Sequence, residues 1–192
     1  HLDPNHESIV LNWIQQILFT KIGPQVMLGK LNLECKRPEP QFELPLKQGS
    51  RLRELFQACE AFSWWKPLPP PSNQTINGHL IGFIDLVFEA DGRFHIVDYK
   101  TNHLGPNDQA YTDERIELAM EQALYPIQAA IYALALHRWL KTRLMHYDPE
   151  KHLGDVIYLF CRGVNAPNGG SWRRSIEAAG VLALEECCLC TQ

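Results

Sequence analysis

The run Gly82-Phe83-Ile84-Asp85-Leu86-Val87-Phe88 is apolar and β-prone except at one carboxylate, and Ile96-Val97-Asp98-Tyr99-Lys100 repeats the pattern with two charges. Between them, Glu89-Ala90-Asp91-Gly92 reads as a hairpin turn. Pairing the two strands sets Asp85 and Asp98 side by side, with Lys100 on the same sheet face as Asp98. Two converging carboxylates repel each other unless a cation lies between them, and hard divalent cations take oxygen ligands. An ammonium beside such an ion can orient or deprotonate a water whose pKa the ion lowers. The spacing suits metal-assisted attack on a phosphodiester. The plainer alternative is a structural ion pair between Asp85 and Lys100, which at a surface contributes little. Against it, three charges set among Ile, Val, Leu and Phe need a partner or a metal.

A chain of 192 residues with 45% apolar content can bury one ordinary core, so a single domain over 1–192 is expected. It lacks the Gly-x-x-x-x-Gly-Lys-Ser/Thr loop of an ATP-driven motor and starts at His1 without a Met, as a fragment of a longer protein would. No run approaches the length of a membrane span and no signal peptide is visible, so a cytoplasmic protein is expected. The net charge of −4 is unfavourable for holding phosphates, which argues against tight DNA binding by this chain alone. Of the six cysteines, Cys187 and Cys190 form one Cys-x-x-Cys, with Cys188 between them. A four-thiolate cluster lacks a suitable fourth partner, so they are read as ordinary thiols in a reducing compartment.

Apolar residues at helical spacing predict helices over Glu7–Phe19, Ser50–Phe62, Asp113–Gln122, Pro126–Arg143 and Ile176–Cys187. Short strands are expected at Phe42–Leu46 and Asp155–Cys161, with a loop over Gly163–Gly170. The prolines of Trp64–Asn73 exclude helix and central strand. That segment reads as an extended loop whose tryptophans pin it to the core, rather than stacking on bases. Strand, hairpin, helices and strand in this order indicate an α/β domain with a mixed sheet.

Four strings in order, GFIDLVF, VDYKTNHLG, YPIQAAIYALALHRWL and HLGDVIYLFCRGV, lie between Gly82 and Val164, and a weaker one runs from Glu39 to Leu46. Together they resemble the C-terminal nuclease domains of RecB-type helicase–nucleases within the PD-(D/E)XK superfamily. The resemblance implies a restriction-endonuclease-like core, a mixed β-sheet flanked by helices. It implies Mg²⁺-dependent DNA hydrolysis, with Mn²⁺ as a substitute, in an enzyme of the exodeoxyribonuclease V type. Asp85, Asp98 and the carbonyl of Tyr99 would hold the ion, and Lys100 would orient or activate water. Gln128 and Tyr132, one turn apart on a helix, match that family's Gln-x-x-x-Tyr motif and would position the strand, with Tyr125 alongside. Glu39 matches an acid that supports the metal site, with Glu43 as its alternative. The family's metal-binding His is expected upstream of the chain, since neither His1 nor His6 fits, and His79, His95 and His103 lack support. The implied partners are single-stranded DNA delivered by the helicase, RecC-like and RecD-like subunits, and a RecA-type recombinase. Two other readings stay open: an inactive nuclease-like docking module and a stand-alone single-strand exonuclease.

Overall fold

The computed structural model describes residues 4–23, 25–67 and 72–189. In chain order the regular elements are α1 (Pro4–Leu18), β1 (Lys36–Pro38), β2 (Gln41–Pro45), α2 (Leu52–Cys59), β3 (His79–Phe83), β4 (Leu86–Ala90), β5 (Arg93–Lys100), α3 (Asp113–Gln122), α4 (Tyr125–Lys141), α5 (Pro149–His152), β6 (Leu153–Phe160), β7 (Ser171–Ser175) and α6 (Ala178–Cys188).

Asp91 and Gly92 both take left-handed backbone, with φ of 53° and 73°. That pairing is the type I′ turn, whose twist matches two adjacent antiparallel strands. It joins β4 to β5 in the expected register, Ala90 opposite Arg93 and Leu86 opposite Val97. The main sheet has five strands in the order β1-β4-β5-β6-β7. Only β5 and β6 run parallel. A parallel pair cannot be closed by a tight turn, and α3, α4 and α5 make the crossover. The expected mixed sheet flanked by helices is therefore present.

Strand alternation divides the core in two. Val87, Ile96, Val156, Tyr158 and Phe160 share one buried cluster with Ala129, Ala130, Ala133 and Leu140 of α4. Four alanines, Ala129, Ala130, Ala133 and Ala135, are buried along α4 and bring its backbone close to the sheet. Leu86, Phe88, Val97, Ile157 and Leu159 face the other way and are covered by Ile17, Ile22 and Leu28. Behind α4, α2 packs on α6, where a methyl group at Gly180 would lie 2.3 Å from the Phe62 ring.

The boundaries shift where caps decide them. α4 begins at Tyr125, because Leu124 takes a left-handed turn with φ 56° after α3, and Pro126 fills the first helical turn. The helix expected over Ser50–Phe62 contracts to Leu52–Cys59, and that expected over Ile176–Cys187 moves to Ala178–Cys188. The aromatic loop is pinned as expected. Trp64 stacks on Phe62 at 4.6 Å and donates its indole N–H to the Ser175 carbonyl, while Trp65 is buried. Residues 68–71 of that loop, and Cys190, lie outside the described residues.

One correction bears on the site. The run from Gly82 to Phe88 is not one strand. It breaks at Ile84-Asp85, with β3 pairing β2 in a separate two-stranded sheet and β4 pairing β1 in the main one. The register nonetheless continues across the break: Pro38 lies opposite Leu86 and Gln41 opposite Phe83. Two bonds span the gap, from the Glu39 N–H to the Asp85 carbonyl at 2.9 Å and from the Ile84 N–H to the Pro40 carbonyl at 3.1 Å. Pro40 and the left-handed Glu39 (φ 48°) bend the ribbon here, and Asp85 stands at the bend.

Candidate active site

Continuing the register by one residue sets Asp85 opposite Asp98 on one side and Glu39 on the other, and β6 sets Tyr158 opposite Asp98. A row therefore crosses four strands where the sheet meets α4. Alternation along β5 directs Asp98 and Lys100 to the α4 face, and one polar network joins them to that helix.

Asp98 is 3% exposed. Lys100 Nζ lies 2.6 Å from Asp98 Oδ2 and donates to Gln128 Oε1 at 3.0 Å. The Tyr158 hydroxyl donates to the same amide oxygen at 3.0 Å, and Gln128 Nε2 donates to the Tyr132 hydroxyl at 2.9 Å. The ammonium also lies over two rings, 4.0 Å from the centroid of Tyr125 and 5.0 Å from that of Tyr158. A carboxylate, an amide oxygen and two π faces all suit a cation. The structural ion pair weighed for Asp85 and Lys100 is thus formed by Asp98 instead. Asp85 turns to the backbone, and its Oδ2 accepts the Tyr99 N–H at 2.7 Å.

Burial pushes the Asp98 carboxyl above the usual carboxylate range, and the Asp85 charge adds to that push; Lys100 and Tyr132 pull the other way without cancelling it. The Tyr132 phenol is pushed up to about 12, first by burial and then by the charges of Asp98 and Asp85, so it is a neutral donor at physiological pH.

Asp98 Oδ2 is buried against the Lys100 ammonium at 2.6 Å, and the Tyr132 hydroxyl also bonds the Asp98 carboxylate. A carboxylate has about four lone-pair sites, so the group keeps acceptor capacity beyond these contacts. Asp85 beside it supplies a second hard oxygen donor. This donor set fits a divalent ion that takes one or two carboxylates and keeps its waters. Among the described residues no three His, Cys, Asp or Glu side chains gather as a ready-made cage.

The other expected residues are distributed as follows. Glu39 reaches the row through its backbone, while its side chain is exposed. Glu43 instead pairs with His79 across β2 and β3. Tyr99 contributes its N–H, and its ring packs on the opposite sheet face. His95 also faces away from the row, stacked on Phe88 and accepting the Asp155 N–H. His6 is exposed on α1. Cys35, Cys59, Cys161, Cys187 and Cys188 are free thiols, and burial with the nearby Cys187 pushes Cys59 up to about 12, away from the thiolate a metal would require. Sequence reasoning missed Tyr158, whose hydroxyl fixes Gln128. Its one signal was a polar tip inside the apolar run Val156-Ile157-Tyr158-Leu159-Phe160.

Comparison with known proteins agrees with this architecture. The chain is similar to the RecBCD enzyme subunit RecB of Escherichia coli (strain K12), 36% identical over 186 residues, which are 94% of this chain and 16% of that protein. RecB of Haemophilus influenzae is 34% identical over 184 residues, 92% of the chain and 15% of that protein. RecB of Mycobacterium tuberculosis H37Rv is 47% identical over 168 residues, 76% of the chain and 15% of that protein. The chain thus spans about one sixth of the length of these relatives. No described helix is long and apolar enough to cross a membrane. The family model of the PD-(D/E)XK nuclease superfamily matches residues 30–175, which contain Glu39, Asp85, Asp98, Lys100, Gln128 and Tyr132, and the chain belongs to that superfamily.

Proposed function

We propose that this chain hydrolyses DNA phosphodiesters with Mg²⁺, as the nuclease domain of a RecBCD-type helicase–nuclease acting in double-strand break repair and recombination. The observation that carries the reading is the buried carboxylate of Asp98, with Asp85 beside it across the ladder and Lys100 at 2.6 Å. Asp85 and Asp98 would hold the ion, with the Tyr99 carbonyl as the third oxygen. The bound ion, Mg²⁺ or in its place Mn²⁺, would supply Lewis-acid stabilisation and a more acidic water.

The chain's own residues do the rest. Lys100, positioned by Asp98, Gln128 and the two rings, orients or activates the attacking water and offsets charge developing on the phosphate. Gln128 holds the ammonium in place and Tyr132 donates toward the strand. Glu39, one strand beyond Asp85, would support the ion. With a net charge of −4, the domain depends on a helicase to deliver single-stranded DNA, and RecC-like and RecD-like subunits with a RecA-type recombinase are the partners this reading implies.

The test is degradation of linear single-stranded DNA in Mg²⁺, wild type beside Asp98→Ala, with Mg²⁺ binding followed by calorimetry in the Asp85→Ala/Asp98→Ala double variant. The reading expects cleavage by wild type only and no binding by the double variant. Ion binding that survives both substitutions would overturn the metal assignment, and a folded wild type that binds Mg²⁺ but never cleaves would favour a docking module.

A further inference from the structure

β5 and β6 both end at the site, and a groove of about 590 Å³ opens just past their ends, lined among others by Trp13, His103, Asn107, Tyr111 and Arg162. Its position relative to the site is fixed by the sheet. Phe160 is the register partner of Lys100, and Arg162 follows two residues later. The Arg162 Nε donates to the carbonyl of Thr101, the residue after Lys100, at 2.9 Å.

The groove is tied to the cationic site by its floor. The Tyr111 ring is buried, and its hydroxyl is fixed between the Asn102 carbonyl at 3.1 Å and the Leu104 N–H at 3.3 Å. The Asn102 side chain in turn accepts from Tyr125, whose ring carries the Lys100 ammonium. The Trp13 indole is anchored through Nε1 to the carbonyl of Cys161, the residue before Arg162, at 2.8 Å, so the half-buried ring is held as a fixed plane.

Arg162 and His103 are both exposed in this groove. Only the Nε of Arg162 is bound to backbone, and the guanidinium forms no ion pair with any described carboxylate, although Asp108 shares the groove wall. A guanidinium beside a rigid aromatic plane is the combination that follows a single strand: the charge takes a phosphate and the ring takes an unstacked base. In a duplex that base face is already covered by its neighbours.

We infer that the groove between Trp13 and Arg162 is a single-stranded DNA subsite, with Arg162 contacting a backbone phosphate next to the one cleaved at Asp85 and Asp98. The subsite rests on the nuclease reading for its purpose, but its binding can be measured apart from cleavage.

Affinity for fluorescein-labelled (dT)12 is measured by anisotropy across a salt series, with Ca²⁺ replacing Mg²⁺, and hydrolysis is measured on (dT)12 and on the small ester thymidine 5′-(p-nitrophenyl phosphate). Arg162→Gln weakens (dT)12 binding roughly tenfold at low salt, as expected for a lost charge-assisted contact. It also flattens the log–log salt slope by about 0.7, the share of one phosphate on a single strand. Its KM penalty is larger on (dT)12 than on the ester. Arg162→Lys keeps the slope, and Trp13→Phe reduces the quenching of tryptophan fluorescence by (dT)12. An unchanged affinity and slope in Arg162→Gln overturns the subsite, as does a loss in Arg162→Lys equal to that in Arg162→Gln. Failure of the nuclease reading looks different: wild type hydrolyses neither substrate, while the Arg162→Gln binding deficit persists.

Discussion

Lys100 and Asp98 stand two residues apart on β5, and their charges meet at 2.6 Å with 12% and 4% of the two side chains exposed. The pair is unequal. Lys100 has Gln128 and two aromatic rings as further neighbours, whereas the Asp98 carboxylate has the ammonium and the Tyr132 hydroxyl and is the more deeply buried. Removing either partner therefore has a different consequence.

Lys100→Met should leave a buried carboxylate without its counter-charge and destabilise the fold by about 3 kcal/mol. Asp98→Asn should cost clearly less, because burial already disfavours the Asp98 charge. The double variant should recover part of the Lys100→Met loss, and urea unfolding of the four proteins reads the cycle. On the proposed function, saturating Mg²⁺ should restore Lys100→Met stability, since the ion replaces the missing cation. Hydrolysis should still fall on the order of 10²-fold. Lys100→Arg should not rescue it, since a planar guanidinium cannot occupy the same box. Equal destabilisation by both single substitutions would remove the asymmetry.

The raised pKa of Asp98 gives ion binding a pH dependence. Protons compete with a divalent ion for the carboxylate, and the competition starts above the ordinary Asp value of 3.8. Mg²⁺ affinity should therefore begin to weaken on acidification at a higher pH than two ordinary aspartates would allow. The stability sign is the reverse of the usual carboxylate: the folded state takes the proton first, so acidification through the raised pKa relieves a cost that ionised Asp98 imposes at neutral pH. Calorimetric titrations in steps from neutral pH down to the ordinary Asp value of 3.8 check the binding. An affinity that holds constant until that value would refute it.

What the sequence made legible was local. The β4–β5 hairpin could be read because Asp91-Gly92 lies between two apolar runs, and the helix over Tyr125–Lys141 because its period and Pro126 agree. The bend at Asp85 was not legible. It depends on Glu39 and Pro40 pairing with Asp85 and Ile84, 46 and 44 positions further along the chain, and no local pattern encodes that meeting. β7, Ser171–Ser175, shows no apolar alternation because it is an edge strand that buries only Trp172. Within the site, residues placed by the hairpin or by the face of α4 were named. Tyr158 was missed because a fully buried tyrosine in an apolar strand looks like core until its hydroxyl is seen on Gln128.

Tyr158→Phe isolates that hydroxyl. The ring remains to pack and to face the ammonium, while the hydrogen bond to Gln128 Oε1 is lost. Stability should fall by about 1 kcal/mol. On the nuclease reading kcat should fall on the order of 10-fold, because Gln128 is freer to let Lys100 drift. Gln128→Leu should cost more, and Tyr158→Phe added to it should cost little further, since both act through one amide. Single-strand hydrolysis by the three variants decides the matter. A Tyr158→Phe protein that is less stable but equally fast would confine Tyr158 to packing.

A charged cluster joins α4 to α6. Glu185 accepts from Arg138 at 2.8 Å and from Lys141 at 3.0 Å, and lies 3.3 Å from Nε2 of the buried His137, whose Nδ1 meets the Tyr147 hydroxyl at 2.9 Å. Burial pushes the Glu185 carboxyl up, but the bonds from Arg138, Lys141 and His137 outweigh it and bring the group down from 4.5 to about 2. Burial holds His137 below its ordinary 6.5, more than Glu185 raises it. Both shifts carry the same sign. On acidification the unfolded chain takes a proton at His137 first, so stability begins to fall as pH drops past 6.5. The contribution of Glu185 is full above 4.5 and is lost as pH falls from there toward about 2. That contribution is on the order of 2 kcal/mol once the exposed Lys141 arm is discounted. Glu185→Gln should therefore be less stable than the parent at pH 7 and nearly equal to it at pH 2.5. Urea midpoints at pH 7, 5 and 2.5 read the difference, and a constant gap between the two proteins across that range would sink the assignment.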